Sequence, residues 1–360
     1  MTAARTTAVD VLIQKSSRVS SVALPFLIAL AAVVCVSVRP SGAARQPPPD
    51  AGAILKVRQA AEQGDAAAQF NFGWMYSEGQ GVSQDDGQAV QWYRKAAEQG
   101  YAPAQFNLGR MYESGRGVQQ DYEQGIQWYR KAAAQGLAAA QGRLGWMYDR
   151  GQGGVPQDDA QAVEWYRKAA EQGHAGSQLN LGWMYDRGRG VPQDDAQAVQ
   201  WYRKAAEQGL PAAQLNLGKM YDLGRGIPQD DAQAVQWYRK AAEWGYAAAQ
   251  LSLGRMYESG RGGPQDAEQA IQWYRKAADQ GLAAAQGNLG AVYAQGQGVP
   301  QDYTEAHKWL NLAAARASGE ERKSYAVRRD ALEQLMTPQQ IAEARKQAQA
   351  WMEGFKPRDN

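Results

Sequence analysis

Residues 92–97 read Trp-Tyr-Arg-Lys-Ala-Ala, and this stretch decides the fold because the chain repeats it. The six residues begin at Trp92, Trp128, Trp165, Trp201, Trp237 and Trp273. Trp309 opens a seventh, diverged copy. Every interval is 36 residues except one of 37, where Gly154 is inserted into the loop at 151–157. A fixed period of this length is typical of a repeat architecture.

A second string, Leu/Phe-Gly-x-Met/Val-Tyr, precedes each tryptophan. Its glycine lies at Gly73, Gly109, Gly145, Gly182, Gly218, Gly254 and Gly290. Seven units therefore span residues 65–318, and a half-unit at 51–63 comes before them. Solenoids bury a continuous core by stacking such units, since no single unit can bury its own apolar face.

Each unit is predicted to form two helices, A and B. Helix A, for example 102–113, is rich in alanine and places Phe106, Leu108 and Tyr112 on one side at helical spacing. A Gly-x-Gly turn follows, and helix B begins at an Asp with Gln or Glu three residues on, which predicts an N-cap and a capping box. The seven pairs are Asp85/Gln88, Asp121/Gln124, Asp158/Gln161, Asp194/Gln197, Asp230/Gln233, Asp266/Gln269 and Asp302/Glu305. Helix B ends before a glycine suited to the left-handed C′ position, as at Gly100.

The glycine inside helix A is unfavourable in an exposed helix by about 1 kcal/mol relative to alanine. Its presence in every unit predicts that helix B approaches closely at this point. We expect the tryptophan of helix B and the tyrosine of helix A to fill the core, since the chain has 12 Trp and 18 Tyr. The chain is thus predicted to be all-α.

The amino terminus reads as an export signal. Residues 1–44 combine a basic flank, a charge-free stretch at 19–38 and small residues at 41–44, as in a secretory signal peptide. The alternative is an uncleaved anchor, because residues 19–38 are long enough to span a membrane. Residues 45–64 form a Pro-rich spacer and the capping half-repeat. The protein is therefore expected to be periplasmic or secreted, or else anchored to the inner membrane.

The units resemble Sel1-like repeats, relatives of the tetratricopeptide repeat with a longer turn between the helices. The motif here is Ala-x-Ala-Gln-x-x-Leu-Gly-x-Met-Tyr, then Gly-x-Gly-Val-x-Gln-Asp, then Ala-x-x-Trp-Tyr-x-Lys-Ala-Ala-x-x-Gly. The resemblance implies a right-handed α-solenoid that acts as an adaptor for protein complexes. Residues 319–360 resemble the capping helices and tail of bacterial members, and Thr337, Pro338 and Gln340 form a helix start signal.

Two positions of helix A vary between units and are our candidate partner-binding sites. One lies two residues before the glycine, and the other lies directly after it. The candidates are Asn71, Trp74, Asn107, Arg110, Arg143, Trp146, Asn180, Trp183, Asn216, Lys219, Arg255 and Asn288. The resemblance implies that these positions line a concave groove and that the asparagines bind the partner's backbone. An amide both donates and accepts hydrogen bonds, and Trp and Arg are frequent interface anchors.

The composition argues against several classes of function. A net charge of +2 argues against a basic nucleic-acid binder. One cysteine and two histidines, His174 and His307, offer no metal-ligand cluster, and neither histidine sits in a nucleophile motif. We therefore predict a monomeric, non-enzymatic scaffold of the bacterial cell envelope that binds a protein or peptide partner without cofactor, metal or nucleic acid. The membrane is involved only through an uncleaved N-terminal segment.

Two other functions stay open at this point. One is a hydrolase of β-lactams or cell-wall material, as described for cysteine-rich secreted proteins of the resembled family. Those proteins pair cysteines across each repeat, whereas the repeats here contain none. The other is binding of cell-wall or exopolysaccharide glycans by Trp74, Trp146 and Trp183.

Overall fold

A computed structural model describes residues 51–355, which consist of helices and turns without a strand. Helix α1 covers Ala51–Glu62, and the chain closes with α16 (Gly319–Glu333) and α17 (Pro338–Gly354). Helices A are α2 (Ala66–Glu78), α4 (Ala102–Ser114), α6 (Ala138–Arg150), α8 (Ala175–Arg187), α10 (Pro211–Leu223), α12 (Ala247–Ser259) and α14 (Ala283–Gln295). Helices B are α3 (Asp86–Glu98), α5 (Tyr122–Ala134), α7 (Asp159–Glu171), α9 (Asp195–Glu207), α11 (Asp231–Glu243), α13 (Ala267–Asp279) and α15 (Tyr303–Arg316).

These helices form two compact units, α1–α9 in residues 51–210 and α10–α17 in residues 211–355. Within each, helices A and B pack against their neighbours in chain order, and α16 and α17 both pack on α15. The predicted all-α solenoid is confirmed, while the handedness of its superhelix stays a prediction. None of the helices in residues 51–355 is long and apolar enough to cross a membrane. The predicted signal or anchor lies outside the described residues.

The predicted N-caps of helix B are confirmed, but the capping boxes are wrong. Asp85 Oδ1 accepts a hydrogen bond from the Gln88 backbone N–H at 2.9 Å, and the other units repeat this bond. The Gln88 side chain cannot complete a box, because the Asp85 N–H already donates to the Tyr76 carbonyl at 3.0 Å. That bond ties the start of helix B to the end of helix A. Among the described helices, the reciprocal box forms at Thr337 and Gln340 of α17.

The helix-A glycine allows helix B to approach closely, as predicted. The side chain that fills the space beside the glycine, however, is not one of those predicted. A Cβ added to Gly145 would lie 2.6 Å from the ring of Tyr166, the second residue of the helix-B string. That tyrosine is fully buried, whereas Trp165 of helix B and Tyr148 of helix A are only half-buried. The same arrangement recurs at Tyr93, Tyr129, Tyr202, Tyr238 and Tyr274. The tryptophan and the helix-A tyrosine pack against the edge of the core, as Trp128 and Tyr112 do, so the expectation that they are its main filling was wrong.

Buried glutamines join three helices at a time. The Gln105 Nε2 of α4 donates to the Ala97 carbonyl of α3 at 3.1 Å, and its Oε1 accepts from Gln135 at the end of α5 at 2.8 Å. Equivalent glutamine pairs are Gln69/Gln99, Gln141/Gln172, Gln178/Gln208 and Gln250/Gln280. We call this series the glutamine ladder. It links each of these five units to the helix before it, and it was not among the features predicted from the sequence.

Helices α16 and α17 cover the last unit. Leu332, Met336 and Ala344 are buried against Leu310 of α15. His307 of α15, at a position where other units place valine or isoleucine, is fully buried and its Nε2 lies 2.9 Å from Glu333 Oε1 of α16. The two helices thus bury apolar and polar groups of the last helix B.

Replacing Gly145 by alanine should lower the free energy of unfolding by about 1–3 kcal/mol, the usual effect of overpacking a core. The new Cβ would be forced against the Tyr166 ring. Gly176→Ala is the matched control, because its Cβ would meet nothing closer than His174 Cε1 at 3.5 Å. That change should be neutral or stabilise α8 by up to about 1 kcal/mol. Urea unfolding measures both, and equal stability of the two variants would contradict the proposed contact.

The stability of the α15–α17 region should decrease as the pH falls below neutral. Burial lowers the pKa of His307 from its ordinary 6.5. The hydrogen bond and the charge of Glu333 oppose this shift without reversing it, and the charges of Arg329 and Arg345 lower the pKa further. Between pH 6.5 and the folded-state pKa, the unfolded segment therefore binds a proton that the folded segment does not, so folding is progressively disfavoured.

The test is hydrogen exchange of α16 and α17 at pH values between about 7.5 and 5.5, corrected for intrinsic exchange rates. Wild-type protection should decline over this range. His307→Val restores the residue that stands at Val90 and Val163 in other units, and it should flatten the decline. A variant with the same pH dependence as the wild type would exclude His307 as the titrating group.

Candidate partner-binding surface

All twelve candidate residues lie on helices A, at two positions three residues apart that share one face. Five of them are exposed: Asn71, Trp74, Arg110, Lys219 and Arg255. The others are half-buried: Asn107, Arg143, Trp146, Asn180, Trp183, Asn216 and Asn288. The structure therefore separates the candidates into side chains that reach solvent and side chains that meet a neighbouring helix.

Asparagines at the first position are engaged inside the array. Asn107 hydrogen-bonds the hydroxyl of Tyr93 in the preceding helix B. Asn180 and Asn288 meet the hydroxyls of Tyr166 and Tyr274 in the same way. Asn71, in the first unit, remains exposed. The role in binding a partner's backbone stays a prediction, and it now has to compete with these intramolecular bonds.

An acidic residue four positions after the helix-A glycine was not among the predicted site residues. In the second to sixth units this carboxylate accepts a hydrogen bond from the buried helix-B tyrosine. The donor–acceptor distances are 2.7 Å for Tyr129–Glu113, 3.5 Å for Tyr166–Asp149, 3.3 Å for Tyr202–Asp186, 3.0 Å for Tyr238–Asp222 and 2.7 Å for Tyr274–Glu258. The signal was available, because an acid recurs at this position in five consecutive units.

These tyrosines are held as neutral hydrogen-bond donors. Burial raises the pKa of Tyr93 to about 12, even though bonds to Asn107 and Ser77 favour the ionised form. Burial and the Asp149 charge raise the pKa of Tyr166 further. Burial also raises the pKa of Asp149 itself, against the opposing charge of Arg189. The contact between neighbouring units is therefore a polar network in which the tyrosine hydroxyls stay protonated at neutral pH.

Two of the candidate tryptophans are covered by arginine. The Arg143 guanidinium lies 3.9 Å from the centre of the Trp146 ring, and it also pairs with Glu113. The Arg189 guanidinium lies 4.9 Å from the Trp183 ring and forms an ion pair with Asp149 at 3.0 Å. Trp74 is more open, with 42% of its surface exposed. The three tryptophans thus do not present equivalent surfaces.

The Arg-Lys pairs of helix B have structural partners. Lys95 Nζ lies 3.9 Å from the Trp92 ring centre, and Arg94 donates to the Tyr112 hydroxyl of the next helix A at 2.8 Å. The lysines of the other five complete strings stack in the same way on their tryptophans, at 3.9–4.4 Å. The lysines therefore stack within their own helix B, while arginines such as Arg94 connect helix B to the next helix A.

Both histidines also have structural partners. His174 caps α8, where its Nδ1 accepts from the Ser177 backbone N–H at 3.2 Å, and burial lowers its pKa. His307 is held by Glu333 below α16. Within residues 51–355, no group of three or more His, Cys, Asp or Glu side chains is arranged to hold a metal ion.

Comparison with protein families gives seven consecutive matches to the Sel1 repeat. They cover residues 66–101, 102–137, 138–174, 175–210, 211–246, 247–282 and 283–318. The third match is one residue longer than the others, at the unit that carries Gly154. A comparison with curated protein sequences found no significant match.

Solved structures include similar chains. A Sel1 repeat protein from Oxalobacter formigenes is 40% identical, with 76% of this chain and 78% of that chain aligned and a TM-score of 0.59. Protein c5321, a protective antigen of uropathogenic Escherichia coli with an SLR fold, is 30% identical over 84% of this chain and 95% of that chain, with a TM-score of 0.36. The first of these similarities supports the all-α repeat architecture described above.

Proposed function

Since this chain belongs to the Sel1 repeat family, we propose that it is a non-enzymatic scaffold of the bacterial cell envelope that binds a protein or peptide on its helix-A surface. Sel1 repeat proteins generally mediate protein–protein interactions. The finer assignment to the envelope and to this surface is our inference.

The proposal rests on the difference between positions that are the same in successive units and positions that vary. The glycine, the helix-B tyrosine and the ladder glutamine recur because they form the joints between helices. The residue after the glycine varies instead, and it reads Trp74, Arg110, Trp146, Trp183, Lys219, Arg255 and Ala291 in successive units. Trp and Arg are the residue types most often found as energetic centres of interfaces.

A non-enzymatic role is supported by the use of the reactive side chains. His174 caps a helix, His307 is held under α16, and Asp149 is held between a tyrosine and an arginine. Each of these groups therefore has a task in the fold. Proteins of this repeat family are typically scaffolds without catalytic activity.

Changing the residue after the helix-A glycine in the second to fourth units should strongly reduce partner capture. The variant Arg110→Ala/Trp146→Ala/Trp183→Ala places alanine where the seventh unit already has Ala291. We expect recovery of the partner from a native envelope extract to fall by roughly tenfold or more, as for loss of several interface anchors. Affinity capture with quantitative mass spectrometry gives the measurement.

The matched control changes three exposed residues on helices B of the same units, Gln127→Ala/Glu164→Ala/Gln200→Ala. Circular dichroism confirms that both variants are folded. Equal recovery by wild type, helix-A variant and control would refute the helix-A surface as the binding site.

Export is tested separately at the amino terminus. If residues 1–44 are a signal peptide, amino-terminal sequencing of the protein isolated from its native host should place the first residue near position 45. A protein that starts upstream of residue 19 and fractionates with membranes would instead support the anchor at 19–38.

A further inference from the structure

We propose that helices A of the second to fourth units bind an acidic peptide in extended conformation. This inference rests on the function proposed above and specifies the chemistry of the partner. Five residues form the binding surface, which we call the basic–aromatic surface: Arg110, Trp146, Arg150, Trp183 and Arg187.

These residues lie on the same side of neighbouring helices. Trp146 and Arg150 are one helical turn apart on α6, and Trp183 and Arg187 are one turn apart on α8. Helices α6 and α8 approach each other directly. Both tryptophans pack against the buried cluster around Tyr166, so they are neighbours across the joint. Arg110 occupies the equivalent position on α4.

The cations of this surface point to solvent. Arg110 is exposed, and the side chains of Arg150 and Arg187 are 42% and 62% exposed. The nearest carboxylates to Arg150 and Arg187 are those of the preceding residues, Asp149 and Asp186, both at 3.9 Å. At that distance the guanidinium N–H groups are outside hydrogen-bonding range of these carboxylates and can donate to a ligand.

The acidic residues of the same three helices are turned inward. Glu113 pairs with Arg143 and accepts from the Tyr129 hydroxyl. Asp149 has 9% of its side chain exposed, and Asp186 has 12%. The surface is therefore positive, although the whole chain is almost neutral. Charge complementarity favours an acidic partner and rejects a basic one.

A tryptophan with an arginine one helical turn later is found in the third and fourth units, at Trp146/Arg150 and Trp183/Arg187. The position of Arg150 and Arg187 is Glu78 in the first unit and Ser114, Leu223 and Ser259 in the second, fifth and sixth units. An acidic ligand would therefore find both an indole and a guanidinium on α6 and on α8, with Arg110 beside them on α4.

The tryptophans favour a peptide over a sugar as the source of the carboxylates. A sugar ring stacks on an open aromatic face, but Arg143 covers the Trp146 ring and Arg189 lies over the Trp183 ring. Both indoles also pack against buried clusters. The accessible part of each tryptophan is therefore the edge of its indole ring, next to an exposed guanidinium. In a peptide, a small apolar side chain would contact the indole edge while a neighbouring carboxylate pairs with the guanidinium.

The spacing of the helices suggests how acidic residues are arranged in the ligand. Packed helices lie about 8–10 Å apart, and an extended chain advances about 3.3 Å per residue. Every third residue of an extended peptide therefore faces successive helices. A peptide with a carboxylate at each third position would meet Arg150 and Arg187 in turn, and it would meet Arg110 one helical turn to the side of that line.

The test uses a capped, fluorescein-labelled peptide of four Glu-Val-Thr units, with Gln-Val-Thr and Lys-Val-Thr peptides as matched probes. Fluorescence anisotropy is measured with the protein isolated from its native host. It should show that the Glu peptide binds and that this binding weakens as salt screens the charges. The Arg110→Glu/Arg150→Glu/Arg187→Glu variant should bind it roughly tenfold more weakly or worse, since three charge contacts are reversed.

The control variant, Lys131→Glu/Lys168→Glu/Lys204→Glu, makes the same change in net charge on helices B of the same units. It should retain binding, and circular dichroism verifies that both variants are helical. Equal loss in both variants would show that net charge, not this surface, attracts the peptide, and would overturn the inference.

Two further outcomes would also overturn it. One is binding of the Gln or Lys peptide as tightly as the Glu peptide. The other is absence of Glu-peptide binding, or stronger binding of an acidic polysaccharide such as polygalacturonate in competition. In either case the proposed scaffold function is judged independently, by whether the helix-A alanine variant loses its native partner.

Discussion

The contact between a helix-A glycine and a helix-B tyrosine ring is the one on which the first six units depend, and Leu310 takes the place of the tyrosine in the seventh. Because Gly145 has no side chain, Tyr166 lies flat against α6 and its hydroxyl reaches Asp149 near the end of that helix. The same hydroxyl then meets Asn180 of the next helix A. A single missing side chain thus positions the ring, the acid and the following unit. Stacking supplies the core that a sequence sparse in large aliphatic residues would otherwise lack.

Much of the architecture was predictable from the sequence, because start and stop signals repeat in register. The errors have physical causes. Trp165 and Tyr166 are adjacent, and the prediction gave the larger ring to the core. The apolar face of α7, however, runs through Ala162 and Ala169, which are four and three residues from Tyr166. The capping boxes failed because the Asp85 N–H bonds to helix A, a tertiary contact that no local pattern reports.

The sequence indicated which positions of helix A carry the candidate surface better than it indicated the contacts of each side chain. Variation after the glycine correctly pointed to solvent-facing side chains such as Arg110 and Trp74. The asparagines looked similar in sequence, yet Asn107 and Asn180 face tyrosine hydroxyls. Whether a polar side chain on a helix meets water or the next unit depends on how units stack, which one sequence does not specify. The arginine–aromatic contacts were missed for the same reason, since Arg189 reaches Trp183 from a loop.

The glutamine ladder has a consequence for how such a chain can change in evolution. In the first four units each rung, such as Gln105 with Ala97 and Gln135, uses the same residue types, whereas Trp244 replaces the second glutamine in the fifth unit. Duplication or loss of one complete period among the first four units would therefore recreate a matching interface, and the protein could grow or shrink in whole steps. An insertion shorter than a period needs a place where no other atom is close. Gly154, the single extra residue, is at such a place, because its φ is +84° and a Cβ at this position would have no atom within 4 Å.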